Sequence, residues 1–316
     1  MRTMKAVCIY SYGGPEVLAY EDMPRPHPGP GELSVRVHAA GINPVDWKIR
    51  EGHLKEMLHY TFPLVLGWDF SGVVDALGSG LTRFKVGDEV FSRPDLSRDG
   101  AYAEFIVVKE SELALKPKNI DHIHAAALPL AGLTVWQTLF EAAGLAPGQR
   151  VLIHAAAGGV GHIAVQLAKW KGAHVIGTAA EKNHDFLRKL GIDQVIDYNT
   201  ERFEDVVQPV DVVLDTIGGD TQERSWKVLK PGGMLVSIAE KPSAEKATAH
   251  GVRSAFVFTQ PNAGQLAEIA KIVEAEKLKA IVEIILPLSD ATRGQELSER
   301  GHRHGKIVLR VISPST

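Results

Sequence analysis

Residues 150–180, RVLIHAAAGGVGHIAVQLAKWKGAHVIGTAA, restrict the fold more than any other stretch of the chain. A short apolar run leads into Ala156-Ala157-Gly158-Gly159-Val160-Gly161, a helical pattern follows, and a second apolar run closes the unit. Small residues are needed there for three reasons. The chain must turn tightly, its backbone must approach a pyrophosphate, and the helix must pack close to the sheet. Alanine takes the first of the three usual glycine slots. The helix start presents free N–H groups and the positive end of a dipole to phosphate. The motif predicts a dinucleotide-binding parallel sheet in which Gly158, Gly159, Val160 and Gly161 hold the pyrophosphate.

The surrounding pattern extends this unit. From about residue 122, short apolar runs alternate with helical segments, and QVIDY, VDVVLDTIGG, GMLVSIA and SAFVFT read as further strands. Buried strands joined by helices argue for a doubly wound sheet covered on both faces, placed at 122–262. Residues 1–121 are different. KAVCIY, LSVRVHAAGI, SGVVDALG, DEVFSR and AYAEFIVV are strand-like and separated by Gly/Pro turns, which predicts a compact β-rich domain. The 316 residues allow about two domains. Residues 263–316 are therefore expected to return and complete the first domain.

Several function classes are disfavoured. Net charge is −3 and no basic run is present, so neither nucleic acid nor an anionic membrane is an expected partner. No apolar stretch reaches the ~18 residues of a membrane span. The N-terminus MRTMKAVCIY reads as a first strand and a cytoplasmic protein is expected. The single cysteine, Cys8, allows neither an intrachain disulfide nor a multi-cysteine zinc site.

The choice of nucleotide is legible in part. An NAD site usually carries an acid at the end of the second strand, on the ribose hydroxyls. Here that end holds Thr178, Ala179 and Ala180, and Thr178 is expected to contact the cofactor. Lys182 follows in a first helical turn, where a cation opposes the dipole. A 2′-phosphate removes that conflict, and Tyr198, ending QVIDY, offers a hydroxyl to the same phosphate. NADPH is expected over NADH.

The motifs AAGINPVDWKIREG, PLVLGWDFSGVV, VGDEVF, LPLAGLTVWQTL, VLIHAAAGGVGH and GKIVLRV, in that order, resemble the medium-chain dehydrogenase/reductase superfamily. They look most like its zinc-independent quinone oxidoreductases, the relatives of zeta-crystallin. The resemblance covers essentially the whole chain. It implies a GroES-like catalytic domain made by both chain ends, an inserted Rossmann domain, and an active site in the cleft between them. Metal-dependent relatives place a cysteine where this chain has Asn43 and a histidine where it has Trp68. Neither is a competent zinc ligand, so no metal is expected. Without a Lewis acid, the implied reaction is hydride transfer from NADPH to a quinone or α,β-unsaturated carbonyl, whose conjugation spreads the incoming charge.

The resemblance also implies residue roles. Asn43 faces the nicotinamide and bonds cofactor or substrate. Thr134 contacts the nicotinamide side. Ile217, Ala239 and the strand residues Val257 and Phe258 line the ribose and carboxamide, and Lys306 approaches the cofactor from the returning segment. Trp68 becomes an apolar wall of the substrate space, and Asp69 keeps a structural role against a base or backbone. Some enone reductases of the family carry a tyrosine after the segment matching Ile49-Arg50-Glu51-Gly52; this chain reads His53-Leu54 there. Tyr60 is the nearest tyrosine and is expected as proton donor or substrate contact, beside His53, His59 and solvent. Two alternatives stay open: a non-catalytic NADPH-binding sensor or structural protein, and a zinc alcohol dehydrogenase. A homodimer is expected, because SAFVFT forms an unprotected apolar sheet edge.

Overall fold

The computed structural model describes residues 2–301 and 304–312. The N-terminal strands are β1 (Thr3–Ile9), β2 (Ala19–Pro24), β3 (Glu32–Ile42), β4 (Leu64–Val65), β5 (Phe70–Leu77), β6 (Glu89–Ser92), β7 (Phe105–Lys109) and β8 (Leu113–Leu115). The parallel strands are β9 (Arg150–Ile153), β10 (His174–Ala179), β11 (Gln194–Asp197), β12 (Val210–Asp215), β13 (Leu229–Ser237) and β14 (Arg253–Phe256). Two more, β15 (Val282–Pro287) and β16 (Lys306–Arg310), close the chain.

The parallel sheet has the order β11-β10-β9-β12-β13-β14. Its central strands carry unbroken apolar runs because helices cover both faces; Val151, Leu152, Ile153, Val212, Val213 and Leu214 are all buried. The glycine turn leads into the helix Gly161–Trp170, and eight of that helix's ten residues are buried. The second sheet runs β15-β16-β3-β5-β6-β8, with β7 paired to β3. Here β16 lies antiparallel to β3, pairing Ile307 with Ile42 and Arg310 with Ala39. Both chain ends therefore build one β domain, the GroES-like part, and the Rossmann-like part is inserted between them. Within the returning segment, the helix Ala263–Glu274 buries Leu266, Ile269 and Val273 in the apolar cluster that also holds Leu133 and Ile163. Packing carries it with the parallel sheet, and the chain rejoins the other sheet at β15.

The strand β2 has no apolar alternation, because it is an edge with Glu21 and Asp22 paired on β1. That explains why it is not legible as a strand. The edge strand β14 is also shorter than SAFVFT suggests. Its ladder with β13 ends at Phe256, and Val257 keeps one bond to the Ser237 carbonyl (2.9 Å). Val257 and Phe258 are thus not strand residues, and the chain turns off the sheet toward the helix Pro129–Val135. Among the described residues no helix is long and apolar enough to cross a membrane.

Candidate functional site

The turn at 155–161 is shaped by backbone contacts. Ala155 has φ +48° and its carbonyl accepts from Gly158 N (2.9 Å). A Cβ on Gly161 would lie 2.2 Å from the Ala155 oxygen, so only glycine fits there. Thr178 is buried, and its hydroxyl takes Ala155 N–H at 3.3 Å. It braces the turn from below instead of facing a ligand, which corrects its expected role as a cofactor contact. His162 is buried one residue into the helix. Its Nε2 accepts from Ile281 N (3.3 Å), so Nδ1 carries the proton and donates to the Gly158 carbonyl (2.9 Å). Burial pulls the His162 pKa down to about 4, which keeps that ring neutral and that tautomer in place.

The returning segment crosses this turn. Gly305 N donates to the Ala157 carbonyl (3.0 Å), and a Cβ on Gly159 would meet Lys306 Cδ at 3.2 Å. From there Lys306, only 4 % exposed, reaches the other domain. Its Nζ donates to Asn43 Oδ1 and to Asp69 Oδ2 (3.2 Å). Asn43 Nδ2 donates to the same Asp69 oxygen (3.0 Å), and Leu130 N donates to Asp69 Oδ1 (2.9 Å). Asp69 has no exposure, and burial pushes its carboxyl up against the Lys306 ammonium, which favours ionisation. Asp69 therefore holds the structural position expected of it, bonded to a base and to backbone.

A second buried carboxylate stands behind Asn43. Asn43 caps the helix Pro44–Arg50, and its N–H donates to Asp46 Oδ2 (2.8 Å). Tyr102 donates its hydroxyl to that oxygen (2.7 Å), while Asp46 Oδ1 is buried without a partner. Burial pushes the Asp46 carboxyl up to about 7. Since this lies above the ordinary carboxylate value, the group's contribution to stability is complete at low pH and is lost as pH rises through about 7. Asp46→Asn keeps one accepting oxygen and cannot ionise. Its stability relative to the natural chain should therefore climb from about pH 4 to about pH 7 and then level off. Urea unfolding across that range checks this; a flat difference would reject it. Asp46 and Tyr102 escaped the sequence reading. The signal for Asp46 was an acid three residues after a cap asparagine.

Two expected substrate contacts are corrected. Trp68 has no exposed surface, and its indole N–H donates to the Arg98 carbonyl (3.0 Å). It is core of the GroES-like domain, clustered with Leu66, Phe70 and Tyr102, and walls no open space. Tyr60 is half-buried beside Trp68 (ring centroids 6.3 Å apart) and donates to the Leu96 carbonyl (2.7 Å). Burial raises its pKa, so its proton is held in a loop brace.

The other expected residues lie along the carboxyl ends of the parallel strands or above them. Lys182 and Tyr198 are exposed just past β10 and β11, which pair Ala179 with Asp197. Ile217 and Ala239 are exposed in the loops after β12 and β13. Asp215, missed in the sequence, fixes both loops. It accepts from Ile217 N (2.9 Å), Gly218 N (2.8 Å) and Ser237 Oγ (2.7 Å). Thr134 Oγ1 meets Thr259 Oγ1 at 2.8 Å, next to partly buried Val257 and Phe258. Asn43, Lys306 and the glycine turn thus converge, and Thr134 is tied to them only through Leu130, whose carbonyl it bonds and whose N–H holds Asp69; Trp68 and Thr178 stay behind the surface.

Residues 29–118 match the alcohol dehydrogenase GroES-like domain model, and residues 190–309 match the zinc-binding dehydrogenase model. The human protein named NAD(P)H oxidoreductase RTN4IP1, mitochondrial, is 34% identical, covering 98% of this chain and 89% of its own. A 2-haloacrylate reductase of Burkholderia sp is 34% identical, covering 96% of this chain and 98% of its own. The solved quinone oxidoreductase from Coxiella burnetii superposes with a TM-score of 0.90 at 38% identity, covering 98% of this chain and all of that one.

Proposed function

The chain belongs to the medium-chain dehydrogenase/reductase family, in its quinone oxidoreductase branch, and from that premise we propose that it is an NADPH-dependent reductase of quinones or α,β-unsaturated carbonyls that works without a metal. The observation that carries the proposal is the Lys306–Asn43–Asp69 cluster lying directly against the glycine turn. A cofactor held at Gly158–Gly161 would have an amide and an ammonium beside it, each oriented by Asp69. The family's zinc does not suit this donor set. The two ligand slots hold an amide and an indole whose N–H is spent on a carbonyl, and a cation, Lys306, already sits on the acid.

The nicotinamide would supply the hydride when bound. The chain's own residues bind, orient and exclude water. Lys306 Nζ uses two of its three donors on Asn43 and Asp69, which leaves one for an oxygen of cofactor or acceptor. With Tyr60 engaged by Leu96, the product's proton comes from solvent. One relative is named for 2-haloacrylate, a conjugated acid inside the proposed class of acceptors.

The test is NADPH consumption by purified protein given a panel of small quinones and enones. Binding of NADPH with no turnover across the panel would leave the non-catalytic alternative, and stoichiometric zinc would remove the metal-free part. The preference for NADPH rests on Lys182 and Tyr198 at neighbouring strand ends. Lys182→Ala should raise KM for NADPH roughly 5- to 20-fold, the worth of one exposed charge-assisted phosphate contact, and leave KM for NADH nearly unchanged. Equal effects on the two cofactors would remove Lys182 from the 2′-phosphate. A second copy pairing along the β14 edge belongs to the same proposal, and light scattering checks it.

A further inference from the structure

Among the described residues, the buried cations are paired, with one exception. Arg50 has no exposure and donates to the Gly13 carbonyl, Gln295 and Glu51. Lys116 is 7 % exposed and donates to two carbonyls, and Lys306 is paired with Asp69 as described above. Arg93 is 3 % exposed and makes no hydrogen bond or ion pair, and its Nε is buried without a partner. Asp95, Asp69, Glu112 and Tyr60 act on it only through space. A guanidinium carries five donors in a rigid fork; here the inner N–H is buried without a partner, while the two terminal nitrogens are not among the buried unpartnered atoms and so reach solvent.

Its position explains what would match it. Ser92, the last residue of β6, pairs with Phe70, the first of β5. One step further along the same register, Arg93 faces the Asp69 position, on the acid that orients Lys306 and Asn43. The loop that follows Arg93 carries Leu96, whose carbonyl holds Tyr60. Asp69 and Tyr60 both act on the guanidinium through space, so it lies near the Lys306 ammonium, whose remaining donor the proposed function gives to cofactor or acceptor. The carboxylate nearest in register, Asp69, has its oxygens taken by Lys306, Asn43 and Leu130. The solvent-facing end of the fork is open to an outside anion.

We infer that Arg93 is the specificity residue of the acceptor site and that the preferred acceptor is a conjugated carbonyl bearing a carboxylate or similarly compact anion. The inference rests on the reductase reading for the word acceptor; the anion site itself does not. Planar carboxylates match a guanidinium two-pronged, and a site with a buried donor awaiting a partner discriminates strongly against ligands that lack one.

The experiment compares benzoquinone with carboxy-benzoquinone as acceptors for the NADPH-supplied protein. The ratio of kcat/KM, carboxylated over neutral, is expected at about 10 to 100, the range of a charge-assisted pair. In Arg93→Gln that ratio should fall to near one, and Arg93→Lys should keep part of it, because an ammonium retains the charge without the fork. A ratio near one in the natural protein, or a ratio unchanged by Arg93→Gln, overturns the inference. Should Arg93→Gln fail to fold, calorimetry on the natural protein decides. Benzoate is expected to bind at least ~10-fold tighter than its neutral isostere benzamide, and equal binding overturns the inference. Benzoate selectivity with no reduction of either quinone would remove the reductase reading and leave the anion site standing.

Discussion

Gly161→Ala is expected to lower NADPH affinity by about 100-fold or more and to destabilise the fold by roughly 1–3 kcal/mol, the usual range for overpacking. The added carbon would sit 2.2 Å from the Ala155 oxygen and 2.7 Å from two backbone atoms of Ala156. Backbone cannot rotate aside as a side chain can, so the turn itself must move. The N–H groups that would cradle the pyrophosphate move with it. Gly159→Ala provides the internal control. Its nearest neighbour is Lys306 Cδ at 3.2 Å, and a lysine stem yields by a few tenths of an ångström. A loss below ~10-fold is expected there, since only a flexible side chain must adjust. Fluorescence titration with NADPH and thermal unfolding of both variants check the ranking. A Gly161→Ala protein that binds NADPH as the natural one does would show that this turn does not hold the cofactor.

Lys306→Met should destabilise the protein by about 3–5 kcal/mol, the cost of stranding a buried carboxylate without its cation. Asp69 has no exposure and keeps only Asn43 Nδ2 and Leu130 N as partners. The loss should be largely relieved in the double variant Lys306→Met/Asp69→Asn, because no unpaired charge is then buried. The coupling, read from a double-mutant cycle in urea, is expected to exceed ~1 kcal/mol in magnitude, as for directly contacting charges. Strict additivity would mean that the pair does not stabilise the site as a unit. Reductase activity should stay low in the double variant even as stability returns, because the ammonium beside Asn43 is gone. That separates a role in the site from a role in the fold.

The glycine turn and the parallel sheet were legible in the chain, because each is written in short-range pattern, whereas the GroES-like domain built by both chain ends was implied by the family resemblance. Small residues at 156–161 are required by the turn itself, and apolar runs such as Val151–Ile153 are required by burial on two faces. The strand-end positions of Lys182 and Tyr198 followed from counting residues past predicted strands, and β10 and β11 do bring them to one sheet edge. Trp68 was misread because a strand start does not tell which way a side chain faces. Here the indole turned inward onto the Arg98 carbonyl. Val257 and Phe258 were misread because an edge strand ends where its partner's ladder ends, at Phe256, and not where its apolar residues end.

The amino-acid sequence by itself thus determined the parallel-sheet unit, the place of the glycine turn and the absence of an acid at the end of the second strand. Each is a local demand of backbone geometry or of burial. The tertiary structure alone decided which buried polar groups meet. Lys306 reaches Asn43 across 263 positions and Asp69 across 237, because β16 pairs with β3 and carries the lysine under the glycine turn. It likewise left the Nε of Arg93 buried without a partner. A hydrogen bond depends on ångström-scale approach between segments with no pattern in common, and only the folded arrangement of strands sets that approach.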